Sequence, residues 1–177
     1  MADEHAILRR AKQYDEDALE AIYEKYAALV YRYIYRRVGD AMLAENLVGE
    51  VFVRVLRAIQ SNQAWRTSFQ AWLYQIAHNL IVDYARGEPD RPVLHLEERW
   101  ASAEGDPETA LADRLSRERL LAAVQQLTSG QQQVLVLRFG EGLTAREVAA
   151  VMDKTVSAVE ALQHRGLASL RRILSGD

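Results

Sequence analysis

Thr144-Ala-Arg-Glu-Val-Ala-Ala-Val-Met-Asp-Lys-Thr-Val-Ser-Ala-Val-Glu-Ala-Leu-Gln-His-Arg165 is the most informative part of this chain. It opens in capping-box form, with threonine at the N-cap and Glu147 three residues on. The spacing predicts a short helix to Met152, a tight turn at Asp153-Lys154, and a longer helix from Thr155 to about Leu174. Two helices across a tight turn, the second longer and more polar, form the helix-turn-helix pattern. Ala149 falls where the two helices would cross, and Val148, Val151, Val156 and Val159 can fill the core between them. Thr155, Ser157, Ala158, Glu160, Ala161, Gln163, His164 and Arg165 then line the outer side of the second helix. A helix of this kind fits a major groove, where its early residues meet base edges. Arg165, Arg171 and Arg172 suit phosphate contacts or an ordinary solvated face. A plain helical hairpin satisfies the same periodicity.

Upstream of this motif, Gln131 to Phe139 and Asp113 to Gln126 also carry apolar residues at helical spacing, with Thr128-Ser-Gly130 as the break between them. Ser129 or Gly130 is the expected start of the later of these helices. Further towards the N-terminus all three prolines, Pro89, Pro92 and Pro107, fall in one window that ends in acids: Glu97, Glu98, Glu104, Asp106 and Glu108. Proline removes a backbone donor and disfavours helix just before itself. Residues 87–109 are therefore expected to be a flexible linker, longer than most connections within a compact domain. Val93-Leu-His-Leu96 is the one part of it suited to packing.

Before the linker three helices are expected. Asp15 caps Glu16 to Arg37, whose Leu19, Ile22, Tyr23, Tyr26, Leu29, Val30, Tyr33 and Ile34 step by three and four. Gly39-Asp40 ends it and starts the next, on which Leu43, Leu47, Val51, Val55 and Ile59 form a face. A polar loop, Ser61 to Thr67, leads to a third helix from about Ser68 with Phe69, Trp72, Leu73, Ile76, Ala77, Leu80, Ile81 and Tyr84. No segment alternates at period two. The expected fold is all-α: two small helical domains, 1–86 and 110–177, on a linker, the second containing the helix-turn-helix.

Composition narrows the function. The 177 residues contain no cysteine, which excludes a disulfide scaffold, a thiolate metal site and a cysteine nucleophile. The four histidines, 5, 78, 95 and 164, lack metal-ligand spacing, so no metal or other cofactor is expected. No nucleophile-base pair or phosphate loop points to an enzyme. A net charge of −3 rules out a globally basic nucleic-acid binder but leaves room for a local basic face. There is no apolar run of bilayer-spanning length and no apolar leader after Met1, so a cytoplasmic protein without membrane insertion is expected.

Four stretches together resemble the bacterial RNA polymerase sigma factors of the extracytoplasmic-function (ECF) group. Asp15 to Tyr26 resembles the first helix of that family's region two, and Ala44 to Val55 its polymerase-binding helix. Phe69 to Arg86 resembles the helix that melts promoter DNA and reads the downstream element. Gln131 to Leu170 resembles region four, the reader of the upstream element. The order and spacing match as well. The resemblance implies a promoter-specificity subunit without catalysis of its own, whose partners are core RNA polymerase, promoter DNA and an anti-sigma factor.

The resemblance also distributes roles. Glu45, Asn46, Glu50 and Arg54 would dock on the largest polymerase subunit. The family usually has aspartate where this chain has Asn46 and glutamine where it has Gly49, a departure that weakens the docking expectation unless the face is merely solvated. Asn79, Asp83 and Arg86 follow the family's Asn-Leu-x-x-Asp-x-x-Arg form and would meet the downstream element near the melted bases. Trp65 lies in the loop that holds a flipped base in this family; it suits either base stacking or closure of the domain core. Glu160 and Leu162 replace the basic residues common on the recognition helix. A stand-alone helix-turn-helix regulator would leave residues 15–86 without a role. A degenerate sigma-like chain that titrates an anti-sigma factor would account for Asn46, Gly49 and Glu160.

Overall fold

The computed structural model describes the backbone of residues 2–63, 65, 68–87 and 107–176, and every regular element among them is helical. The chain divides into two compact units. The first holds α1 (Ala2–Ala11), α2 (Glu16–Val38), α3 (Ala41–Gln60) and α4 (Phe69–Gly87). The second holds α5 (Pro107–Gln125), α6 (Ser129–Leu135), a π-helical turn (Val136–Gly140), most of α7 (Ala145–Met152), and α8 (Val156–Ser175).

Local chemistry sets the helix ends of the first unit. The Asp15 carboxylate accepts from the Ala18 amide at 3.0 Å and starts α2. Gly39 ends it at φ 67°, a left-handed value that glycine adopts without a Cβ clash, and its N–H donates to the Tyr35 carbonyl. Asp40 then accepts from the Leu43 amide at 2.9 Å and starts α3. The dipeptide Gly39-Asp40 thus stops one helix and opens the next, as its residue types predict. Val30 and Ile34 of α2, Val51 and Val55 of α3, and Leu73 and Ala77 of α4 are buried together as the centre of the unit. Full burial of the valine, isoleucine and leucine side chains among them is worth ~1.5–3 kcal/mol each. Tyr33 and Tyr74 meet edge to face across α2 and α4, with centroids 5.1 Å apart.

Helix α1 lies outside the three helices expected in this unit. It packs on α2 through Glu4, which accepts a hydrogen bond from the Tyr26 hydroxyl and pairs with the Lys25 ammonium at 2.9 Å. The Tyr26 bond foremost, then Lys25, holds the Glu4 carboxyl below the usual carboxylate range. A carboxylate whose value is lowered by folding stabilises only while it is ionised. The contribution is complete above the ordinary carboxylate value and is lost as pH falls through the lowered one. Acidification from neutral pH should therefore release α1, read as faster amide exchange over residues 4–11. Glu4→Gln should remove that pH step, and an unchanged step in this variant would assign it to another group.

In the second unit α6 starts at Ser129, one of the two expected starts, with Thr128 as its cap. The Thr128 hydroxyl accepts from the Gln131 amide while the Gln131 side chain accepts from the Thr128 amide. Buried Gln132 donates through one amide nitrogen to the carbonyls of Val124, Gln125 and Leu127, which satisfies the open end of α5. The stretch expected to be one helix to Phe139 changes form at Val136, where the Glu141 amide bonds back to the Val136 carbonyl, five residues earlier. This wider turn points Leu137 wholly inward while Phe139 stays exposed. Gly166 of α8 faces α6 so closely that an added Cβ would lie 3.2 Å from a Leu135 methyl.

The predicted linker overlaps helix at both ends. Gly87 closes α4, and Pro107 opens α5, a first-turn position where its missing donor costs nothing. Val93–Leu96 and the acids from Glu97 to Asp106 lie outside the described residues.

Candidate nucleic-acid interface

The helix-turn-helix forms at the predicted positions. Thr144 and Glu147 cap each other, with the Thr144 amide donating to Glu147 at 2.8 Å and the Glu147 amide to Thr144 at 3.2 Å. Asp153 takes the turn at φ 51°, and the Lys154 amide returns to the Ala149 carbonyl. The Thr155 hydroxyl accepts from the Ala158 amide and is spent on starting α8. Val148, Ala149, Val151 and Val159 are buried as expected. Val156 is not: it is 39% exposed, because the first residue of α8 turns away from the seam that Val159 enters one turn later.

Ser157, Glu160, Ala161, His164 and Arg165 form an exposed outer strip on α8. Two residues expected there sit lower: Ala158 and Gln163 are half-buried. Gln163 is turned toward Arg138, whose Nε donates to the Gln163 side-chain oxygen at 2.9 Å. Arg138 also donates to the Leu143 carbonyl, so one guanidinium from the π-helical turn braces both the entry to α7 and the middle of α8. Sequence reading missed this brace, since nothing in the residue pattern marks a π-helical turn. Arg165 donates its Nε to the Ala161 carbonyl one turn back, at 3.2 Å.

In the first unit Asn79, Asp83 and Arg86 share one exposed stripe of α4, as their spacing predicts. Arg86 and Asp83 approach to 3.6 Å with both side chains more than half exposed, a pairing that water competes with easily. Trp65 does not join that stripe. It is 6% exposed and packs on Phe69 and Trp72, so in this conformation its ring is core and not a free stacking surface.

On α3, Glu45 and Asn46 are exposed, and Glu50 pairs with Arg54 one turn later at 3.0 Å. Gly49 lies between them, and a Cβ added there would meet nothing within 4 Å. Helix-interior glycine costs ~1 kcal/mol relative to alanine. Gly49→Ala should therefore stabilise the first unit by about that much, and so raise its denaturation midpoint, without strain. A loss of stability in chemical denaturation would show that Gly49 needs its bare backbone.

Among the described residues no group of three or more acidic or histidine side chains could hold a metal, and no helix is long and apolar enough to cross a membrane. Comparison with known proteins agrees with the two-unit reading. The family model "Sigma-70 region 2" matches residues 22–89, and "Sigma-70, region 4" matches residues 123–172. The chain is 38% identical over 173 residues to the ECF RNA polymerase sigma factor BldN of Streptomyces coelicolor, covering 97% of this chain and 66% of that relative. It is 32% identical to the ECF RNA polymerase sigma factor SigD of Mycobacterium tuberculosis, covering 94% of this chain and 81% of SigD. In fold it resembles the sigma factor RpoE of Bartonella quintana, solved with the anti-sigma factor NepR, at a TM-score of 0.66 and 14% identity over 89% of this chain and 97% of that one. Two helical units in this order, with a helix-turn-helix in the second and relatives at this identity, place the chain in the family of ECF RNA polymerase sigma factors.

Proposed function

We propose that this chain is the promoter-specificity subunit of a bacterial RNA polymerase: it binds the core enzyme, reads two promoter elements and starts DNA-templated transcription. The observation that carries the reading is the co-occurrence of two sigma regions in one chain with the outer strip of α8 left open to solvent. Glu45, Asn46, Glu50 and Arg54 on α3 are the proposed polymerase-docking face. Asn79, Asp83 and Arg86 on α4 are the proposed contacts to the downstream element. The α8 strip from Ser157 to Arg165 is the proposed reader of the upstream element, with Thr155 and Gln163 shaping it rather than touching bases. The chain works in the cytoplasm with no catalytic group and no cofactor, since the chemistry belongs to the polymerase.

An anti-sigma factor is the proposed negative regulator. Exposed DNA-facing strips on two units are surfaces that an inhibitor must cover, and the Bartonella protein of similar fold is bound to one. In vitro transcription with purified core polymerase tests the reading. Promoter-dependent initiation only when the chain is added supports it. Binding of an anti-sigma factor without any initiation would instead favour a titrating protein.

A further inference from the structure

Two side chains from the short turn after α1 reach residues at and beyond the end of α3. The Lys12 ammonium donates to the Trp65 backbone carbonyl at 3.0 Å, and its nitrogen lies 4.7 Å from the centre of the Trp65 ring. Two residues on, the Tyr14 hydroxyl accepts from the Gln60 side chain at 2.8 Å, at the last residue of α3. These contacts bridge 53 and 46 residues of sequence. The turn itself is held in an unusual shape. Tyr14 has φ 63°, and Arg10 grips Asp15, the cap of α2, through two nitrogens at 3.1 and 2.9 Å. A non-glycine residue in the left-handed region persists only where its surroundings hold it.

We infer that Lys12 is a positioning residue for Trp65: it latches the Trp65 backbone carbonyl so that the indole stays inside the core. Tyr14 holds Gln60 at the end of α3, and the Ser68 hydroxyl accepts from the Ala71 amide at the start of α4. An ammonium satisfies the carbonyl and places its charge over the ring face at the same time, so one side chain restrains both the backbone and the indole. Loss of the ammonium frees both, and the indole can then leave Phe69 and Trp72 for solvent or for an unpaired base. The inference deepens the proposed function of a promoter-specificity subunit and rests on it, together with the family resemblance that gives the loop around Trp65 a flipped promoter base.

The test uses the full chain with Trp72 and Trp100 replaced by phenylalanine, so that Trp65 alone emits. Lys12→Met keeps the aliphatic stem and removes the donor; Lys12→Arg keeps a charged donor. Acrylamide quenching of Trp65 should rise roughly threefold to tenfold in Lys12→Met, the population change that losing one such hydrogen bond allows. It should stay near the parent value in Lys12→Arg. Unchanged quenching in Lys12→Met, or equal rises in both variants, overturns the latch. In the native-tryptophan background, Lys12→Met should change initiation selectively among promoters that differ at one downstream-element base, at unchanged affinity for core polymerase. Equal effects on all promoters overturn the positioning role. If the parent chain starts no transcription, the proposed function fails, and the quenching result still decides the latch.

Discussion

Leu137→Ala is expected to cost the second unit ~2–5 kcal/mol, the range for emptying a fully buried leucine site. Leu137 is 0% exposed and lies in the π-helical turn. A single small core rarely supplies more than ~3–5 kcal/mol of net stability, so one such cavity can leave the unit largely unfolded. The proposed upstream-element binding should fall with it, because α8 packs on α6, which continues into this turn. Amide exchange over residues 145–175 should rise steeply while residues 16–60 keep their protection. Thermal unfolding should split into two transitions. Leu137→Met, which keeps the volume, should restore most of the loss. Retained protection over 145–175 in the alanine variant would mean that the turn repacks and that Leu137 is not central.

The second large effect separates the two proposed DNA contacts. If Arg165 reads a base, Arg165→Ala should weaken binding to the preferred upstream element by ~1–3 kcal/mol and relax preference at one position. If it binds phosphate alone, the loss should be uniform across sequences, and the salt slope should fall by about one unit. The bond from its Nε to the Ala161 carbonyl favours the phosphate role, since a guanidinium tied to its own helix cannot reach far into a groove. Arg86→Ala should leave upstream binding intact and impair strand opening. Its pairing with exposed Asp83 at 3.6 Å is loose enough to open for a nucleic-acid partner. Rescue of the Arg86→Ala defect on a promoter with a pre-melted bubble would place Arg86 in melting. Equal defects on duplex and bubble templates would place it in binding or folding.

Much of the fold is legible in the order of residues, and for a local reason. Capping and turn residues act within a few positions of themselves, so Asp15, Gly39-Asp40, Thr144 with Glu147, and Asp153 mark their helix ends correctly. Helical periodicity is local too, and it places Val51, Val55, Leu73 and Val148 inside and the α4 stripe outside. The break at Thr128-Ser-Gly130 is legible in the same way: α6 starts at Ser129, and Thr128 and Gln131 form its capping box. Other features depend on packing. Residue spacing cannot say that Lys12 reaches Trp65, that Arg138 turns Gln163 away from the outer strip, or that Gln132 closes α5. Those bonds join residues that the chain brings together only after its helices have packed. The all-α class and the faces of the helices follow from residue order alone, because periodicity and caps are enough to set both. Which face residues remain free to meet DNA depends on long-range partners, because a polar side chain is available only if nothing across the fold has already bound it.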